Sequence, residues 1–379
     1  MRIVVASDSF KGTLSSVRIA RLVAEEAPGV IPGAEVVAVP MADGGEGTSE
    51  VLASACGGRL REVDALDPLG RPVRASYALL GSGRAVVEVA AASGLPLLAP
   101  EERRAGRTTS FGTGQLILDA LDQGCRSITL ALGGSATNDC GTGVLRALGA
   151  RFLDVAGDEL QGTGDELGSI SRIDLSGLDE RVGQTEFRVM CDVDNPLTGP
   201  DGATAVYGPQ KGASPEDVAR IDAGMRRFAA AIRDQLGIDV EGIPGSGAAG
   251  GIGACCVAFF SAALVPGVEQ VASLVGLGDR LATADLCITG EGRLDAQSVR
   301  GKVVAGVAQA CARAGVPCVA ITGALDLEAP ELPGLAAVVP TAVDSDLGLA
   351  HALEHAEELY RLAVRRALAL VSLGASLRA

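Results

Sequence analysis

The sequence has no tryptophan and only two histidines, His351 and His355, both on one stretch near the C-terminus. That leaves nothing elsewhere in the chain for a Ser-His-Asp triad or a histidine-rich zinc site. With Glu354, Glu357 and Glu358 beside them, the two histidines read as the solvated face of an acidic helix. Aromatic residues make up 3% of the chain, so Ala, Val, Leu and Gly must fill the interior. Such small side chains suit helices packed closely on a parallel sheet. Positive charge is in deficit: 32 Lys and Arg against 47 Asp and Glu give a net charge of −15. A nucleic-acid binder needs a basic face to displace counterions, so that class is set aside. A phosphorylated or carboxylated ligand is not, because a site can be locally basic in an acidic protein.

No apolar run is long enough to cross a bilayer; the longest, around 255–265, reads as a core helix. No signal peptide opens the chain, since residues 1–6 run straight into polar residues and read as a first strand. The nine cysteines include no CxxC, and their odd number and spacing fit no disulfide framework. They read as buried, reduced thiols of a cytoplasmic protein.

What is present is a globular composition, 47% hydrophobic and 21% charged over 379 residues, a length that suggests about two domains. The spacing predicts strands over 2–6 and 35–39, alternating with helices over 15–26 and 48–55: the β-α-β-α rhythm of a parallel sheet. The rhythm changes near residue 62. Runs over 61–66, 72–80 and 85–90, separated by turn residues, read as a meander. A helix over 112–123, strands over 127–132 and 187–191, and a helix starting near 143 follow. A long amphipathic helix spans 214–236, with Ser214 as N-cap, Pro215 in the first turn and Gly237 at its stop. From about 283 the α/β rhythm returns, with strands over 285–289, 316–321 and 336–340 and helices over 302–314 and 349–371. The simplest assembly is one α/β domain made of 1–62 and 283–379, with a mixed domain inserted at 63–282. A small ligand is expected in the cleft between two such lobes.

Polar clusters follow the strands, where open α/β sheets bind ligands. The first strand leads into Ser7-Asp8-Ser9-Phe10-Lys11-Gly12, the second into Asp43-Gly44-Gly45-Glu46-Gly47, and the strand over 285–289 into Gly290-Glu291-Gly292-Arg293-Leu294-Asp295. Carboxylates beside exposed backbone amides and cations suit phosphate with a divalent cation. Gly133-Gly134-Ser135-Ala136-Thr137 follows a strand and precedes a helix, a plausible anion cradle. It is not a Walker A loop, and no dinucleotide fingerprint follows a strand anywhere, which sets an oxidoreductase aside. Cys191-Asp192-Val193-Asp194-Asn195-Pro196 offers a carboxylate for a general base, and Lys211, in a glycine-flanked loop, offers a grip for a phosphate or carboxylate. With histidine chemistry excluded, phosphoryl transfer is the reaction class these residues suit, since positioning and charge neutralisation dominate it.

These motifs, with Asp8-Ser9-Phe10-Lys11-Gly12, Gly133-Gly134-Ser135-Ala136-Thr137-Asn138-Asp139, Gly208-Pro209-Gln210-Lys211-Gly212 and Thr289-Gly290-Glu291-Gly292-Arg293 in order from residue 1 to about 370, resemble the glycerate kinase type I family. One departure is Cys140, where that family commonly carries glycine, a difference that matters if the backbone there needs a positive φ. The resemblance implies ATP and Mg²⁺, phosphorylation of glycerate at the 2-hydroxyl, and a flavodoxin-like/Rossmann-like domain split by an inserted restriction-enzyme-like α/β domain. On this reading Asp192, ahead of Asp8, takes the hydroxyl proton, and Lys11 or Arg293 holds the glycerate carboxylate, with Ser9, Asn195 and Lys211 also on the substrate. Asp43, Glu46, Glu291 and Asp295 supply metal ligands. Lys302 and the loop of Gly133, Gly134, Ser135 and Thr137 contact the phosphates. A kinase of another hydroxy acid, a 3-phosphoglycerate-forming enzyme and a non-catalytic phosphometabolite binder stand as alternatives. No membrane or nucleic-acid partner is expected, and a homo-oligomer is left open.

Overall fold

The computed structural model describes residues 1–10, 12–295, 302–326, 331–341 and 348–377. The chain forms a mixed α/β fold of two compact units, Met1–Asp43 with Val268–Ala379, and Gly44–Gly267. The division falls at 43/44 and 267/268, where the change of sequence rhythm placed it at 62/63 and 282/283. The helix Thr48–Ala55 belongs to the second unit, where it packs beside the meander.

The first unit opens with strand β1 (Arg2–Val5), helix Ser16–Val30 and strand β2 (Glu35–Ala38). Ser15 starts that helix by accepting the Arg18 amide at 3.2 Å.

The second unit holds β3 (Arg59–Leu66), β4 (Pro72–Leu80), β5 (Arg84–Glu88), β6 (Ser127–Ala131), β7 (Arg151–Leu153), β8 (Glu159–Leu160), β9 (Arg172–Asp174), β10 (Glu186–Met190) and β11 (Ala263–Val265). Its main sheet runs β11-β10-β6-β5-β4-β3. The first four strands in that order are parallel, and β5, β4 and β3 form the antiparallel meander. Glu88, Ala131, Met190 and Val265 are register partners in one row across the carboxyl ends of the parallel strands. A small antiparallel sheet, β8-β7-β9, sits apart from the main one. The helix Pro215–Leu236 has a full capping box between Ser214 and Asp217, Pro at its start and Gly237 at φ 74° at its end.

The chain returns to the first unit with β12 (Leu286–Leu294), β13 (Cys318–Leu325) and β14 (Leu335–Pro340), the helix Val303–Ala314 packing between β12 and β13 in sequence. The sheet order is β14-β13-β12-β1-β2, all parallel. Counted within this unit, the strands lie second, first, third, fourth, fifth, so the order reverses between β1 and β12. Its core joins Ile3, Val5, Leu286, Ile288 and Ile321 of the sheet to Ile19, Leu22, Tyr360 and Val364 of two helices. The C-terminal helical stretch is broken at His355 (φ −107°, ψ 25°) into Gly348–Glu354 and Ala356–Ser376 rather than continuing as one helix.

Candidate active site

In the first unit, the polar residues gather where the strand order reverses, the position at which open parallel sheets leave a crevice for ligands. β1 ends at Val5, and the next residues fold against β12. The Ser7 hydroxyl and the Asp8 amide both donate to the Gly290 carbonyl, each at 3.0 Å. The Asp8 carboxylate accepts the Ser9 amide at 2.7 Å, which fixes the direction of its side chain. Gly290 is required here, because a Cβ would lie 2.1 Å from the Ile321 carbonyl of β13 and 3.1 Å from the Ser7 hydroxyl.

Glycine also corrects the local reading. Gly290-Glu291-Gly292 is not a loop beyond the strand: β12 runs on to Leu294, paired with Ile321–Leu325 of β13. The glycines let the two backbones approach, with Gly323 facing the Gly292 carbonyl across the ladder. Glu291 is therefore held on a strand, 6% exposed. Lys302, just before the helix Val303–Ala314, lies 3.6 Å from Glu291 and 3.4 Å from Asp295. Arg293 is more open, with its guanidinium 3.0 Å from Asp326. Asp43 lies past the end of β2, on the same carboxyl edge of the sheet as Asp8. Lys11 lies outside the described residues.

In the second unit, three segments leave the carboxyl ends of parallel strands in step. Gly133, Asp192 and Gly267 each stand two residues beyond the row formed by Ala131, Met190 and Val265. Asp192 is exposed and accepts the Gly267 amide at 2.8 Å. Gly133 and Gly134 present their backbone to the exterior, while Ser135 and Thr137 turn inward and are buried. The Lys211 ammonium donates to the Ser135 hydroxyl at 3.0 Å and the Thr137 carbonyl at 2.8 Å. At 3% exposure, Lys211 cannot reach out to a substrate; it braces the loop from beneath. Burial pulls it down to about 7, against the Asp139 carboxylate, which raises it. Asn195 is likewise engaged within the fold, donating to the Asp201 carbonyl and accepting from Tyr207.

Asp139 anchors the same loop. Its carboxylate accepts the Ser110 amide (2.7 Å), the Ser110 hydroxyl (2.8 Å) and the amides of Gly141 (3.1 Å) and Gly143 (3.3 Å). Burial pushes the carboxyl up and these bonds act the other way; four donors suit the ionised form. Cys140 follows at φ 51°, the left-handed region glycine adopts without strain. The departure at this position thus falls on a backbone site with positive φ.

Sequence reasoning missed Glu88. It ends β5 and accepts the amides of Gly47 at 3.2 Å and Ser49 at 2.6 Å, capping the helix Thr48–Ala55. Burial raises its pKa, and these two bonds oppose the rise. The amides after Gly44-Gly45-Glu46 are thus occupied by a carboxylate of the same unit rather than open to phosphate, and Glu46 itself is exposed. The signal was an acidic residue directly after the apolar run 85–87, at the carboxyl end of a strand.

Residues 3–372 match the glycerate kinase family model. The chain belongs to the glycerate kinase family. It is therefore an enzyme of the phosphotransferase class that uses an alcohol group as acceptor. Among similar proteins, a glycerate kinase of Bacillus subtilis (strain 168) is 42% identical over 95% of this chain and 96% of its own length. The glycerate 2-kinase of Escherichia coli (strain K12) is 44% identical over 86% of each chain. A crystal structure from Salmonella typhimurium LT2, named provisionally as glycerate kinase 2, superposes with a TM-score of 0.91 at 43% identity over 99% of each chain. Among the described residues of this glycerate kinase family member, no helix is long and apolar enough to cross a membrane.

Proposed function

We propose that this enzyme transfers the terminal phosphoryl group of ATP to the 2-hydroxyl of glycerate in the cytoplasm, and that the first unit is the flavodoxin-like domain split by an inserted restriction-enzyme-like domain. The strand order of the first unit, reversing between β1 and β12, supports the flavodoxin-like reading. The support for the reaction is the cluster at that reversal: Asp8 beside β12, and Glu291 with Lys302 at 3.6 Å.

In this reading Asp8, oriented by its bond to the Ser9 amide, accepts the proton of the attacking hydroxyl. Asp192, ranked first on the sequence, stands as the alternative base: it lies at the end of β10 in the second unit, and its carboxylate accepts the Gly267 amide. Lys302 meets the phosphate oxygens, and the Glu291 and Asp295 carboxylates keep its ammonium in place. In the second unit, the exposed backbone of Gly133 and Gly134 is by itself a candidate anion contact. The planar guanidinium of Arg293, with Lys11 and Ser9, receives the substrate carboxylate. Among the described residues no three carboxylates converge within 4.8 Å, so the ligands expected at Asp43, Glu46, Glu291 and Asp295 form no ready-made metal cage. Glu291 and Asp295, both beside Lys302, would be the hard oxygen ligands offered to Mg²⁺. When bound, that ion neutralises phosphate charge.

Turnover of Asp8→Asn and Lys302→Met tests these roles, with folding followed by circular dichroism. Each is expected to lose at least about 100-fold in turnover while remaining folded. A folded Asp8→Asn with near-normal turnover removes Asp8 from the base role and passes it to Asp192.

A further inference from the structure

Nine cysteines that gave no motif in sequence give one in space. Cys287 on β12, Cys311 on the helix Val303–Ala314 and Cys318 at the start of β13 bring their sulfurs within 4.8 Å of one another. All three are fully buried. The arrangement follows from the fold: Cys287 and Cys318 are register partners on adjacent parallel strands. The turn from helix to strand then folds Cys311 over them, with the Val316 amide on the Cys311 carbonyl at 3.0 Å and the Cys287 amide on the Pro317 carbonyl at 2.9 Å.

The spacing suits one ion. A metal–thiolate bond of about 2.3 Å puts three sulfurs around a common centre about 4 Å apart. Among the described residues, no His, Asp or Glu joins the three thiols as a fourth ligand. Structural zinc is nearly always four-coordinate, whereas thiolates alone select soft ions such as Cu(I). Of the connection between Cys311 and Cys318, residues 312–315 and Pro317 are exposed and Val316 is buried.

We propose that Cys287, Cys311 and Cys318 form a three-thiolate site for a soft, thiophilic metal ion of the Cu(I) type, separate from the phosphoryl-transfer residues. The ion would clamp β12, β13 and the intervening helix. Cys287 lies four residues before Glu291 on β12, and Cys311 sits on the helix that follows Lys302. Occupancy therefore bears on the elements that carry both residues.

The full-length chain, reduced and kept free of oxygen, is titrated with Cu(I) against a chromophoric Cu(I) chelator, and the bound copper is examined by X-ray absorption. One chelator-resistant copper per chain, coordinated by three sulfurs, is expected. Outer-shell changes alone weaken metal sites by about 10- to 100-fold, so Cys311→Ser is expected to lose affinity by more than about 100-fold. Cys56→Ser, outside the cluster, keeps it. Copper bound by fewer than three sulfurs, no chelator-resistant copper, or equal retention by Cys311→Ser would overturn the proposal. The sulfur count is read on the unaltered chain, so the test stands even if a variant fails to fold.

Discussion

Replacing Gly290 with alanine strikes the point where β1, β12 and β13 meet. The added Cβ would stand 2.1 Å from the Ile321 carbonyl, where ordinary contact begins at 3.4 Å. The shortfall, 3.4 less 2.1, is 1.3 Å, and it is against backbone, which cannot swing aside as a side chain can. Relief requires β12 and β13 to part by about an ångström, at an overpacking cost of about 1–3 kcal/mol. The Gly290 carbonyl also accepts the Ser7 hydroxyl and the Asp8 amide. Weakening both bonds adds about 1–2 kcal/mol. The expected loss is thus about 2–5 kcal/mol, read from urea unfolding of Gly290→Ala beside the unaltered chain. Glu291 is the next residue and Asp8 is bonded to Gly290, so both shift with the strand. A displacement of this size costs about 100-fold in turnover. Gly278→Ala is the control, since nothing lies within 4 Å of its Cβ; it is expected to change stability by less than about 1 kcal/mol. If Gly290→Ala loses under about 1 kcal/mol and keeps its turnover, the tight β12–β13 approach does not position Asp8 and Glu291.

Two further predictions concern the second unit. Asp139→Asn replaces a carboxylate that accepts four donors by an amide whose NH₂ must face one of them. It is expected to cost about 2–4 kcal/mol in urea unfolding, and a loss under about 0.5 kcal/mol would refute the anchoring role. Lys211 is held at about 7 in the fold against 10.5 when unfolded. The unfolded chain therefore binds the extra proton between those values, and stability rises with pH across that window. The cost is fully present below pH 7. Relative to Lys211→Met, the unaltered chain is expected to gain up to about 1.4 kcal/mol per pH unit between pH 7.5 and 9. Parallel pH curves for the two proteins would contradict this.

The local grammar of the fold was legible in the sequence. Ser214, Pro215 and Gly237 bound their helix as expected, because caps act within a turn of the chain. The meander also appeared where turn residues separate β3, β4 and β5. Pairing between distant segments was not legible. Gly290-Glu291-Gly292 looks like a loop until β13 lies beside it, and glycine then serves close approach rather than a turn. The β8-β7-β9 sheet has strands too short to show alternation. Lys211 looked like an exposed cation between glycines, but the turn folds it beneath Ser135 and Thr137. Carboxylate-rich segments were recognisable as chemistry, yet whether an acid meets a substrate or caps a helix, as Glu88 does, depends on strand neighbours that spacing does not reveal. The three thiols illustrate the same limit: Cys287 and Cys318 are adjacent only through strand register.

Phosphorus NMR of the product formed from D-glycerate, ATP and Mg²⁺ tests the proposed reaction most directly. The resonance of 2-phosphoglycerate, absent when glycerate is withheld, is the predicted result. A 3-phosphoglycerate resonance would contradict transfer to the 2-hydroxyl, and ATP left unconsumed in the presence of glycerate would contradict the glycerate kinase reading itself.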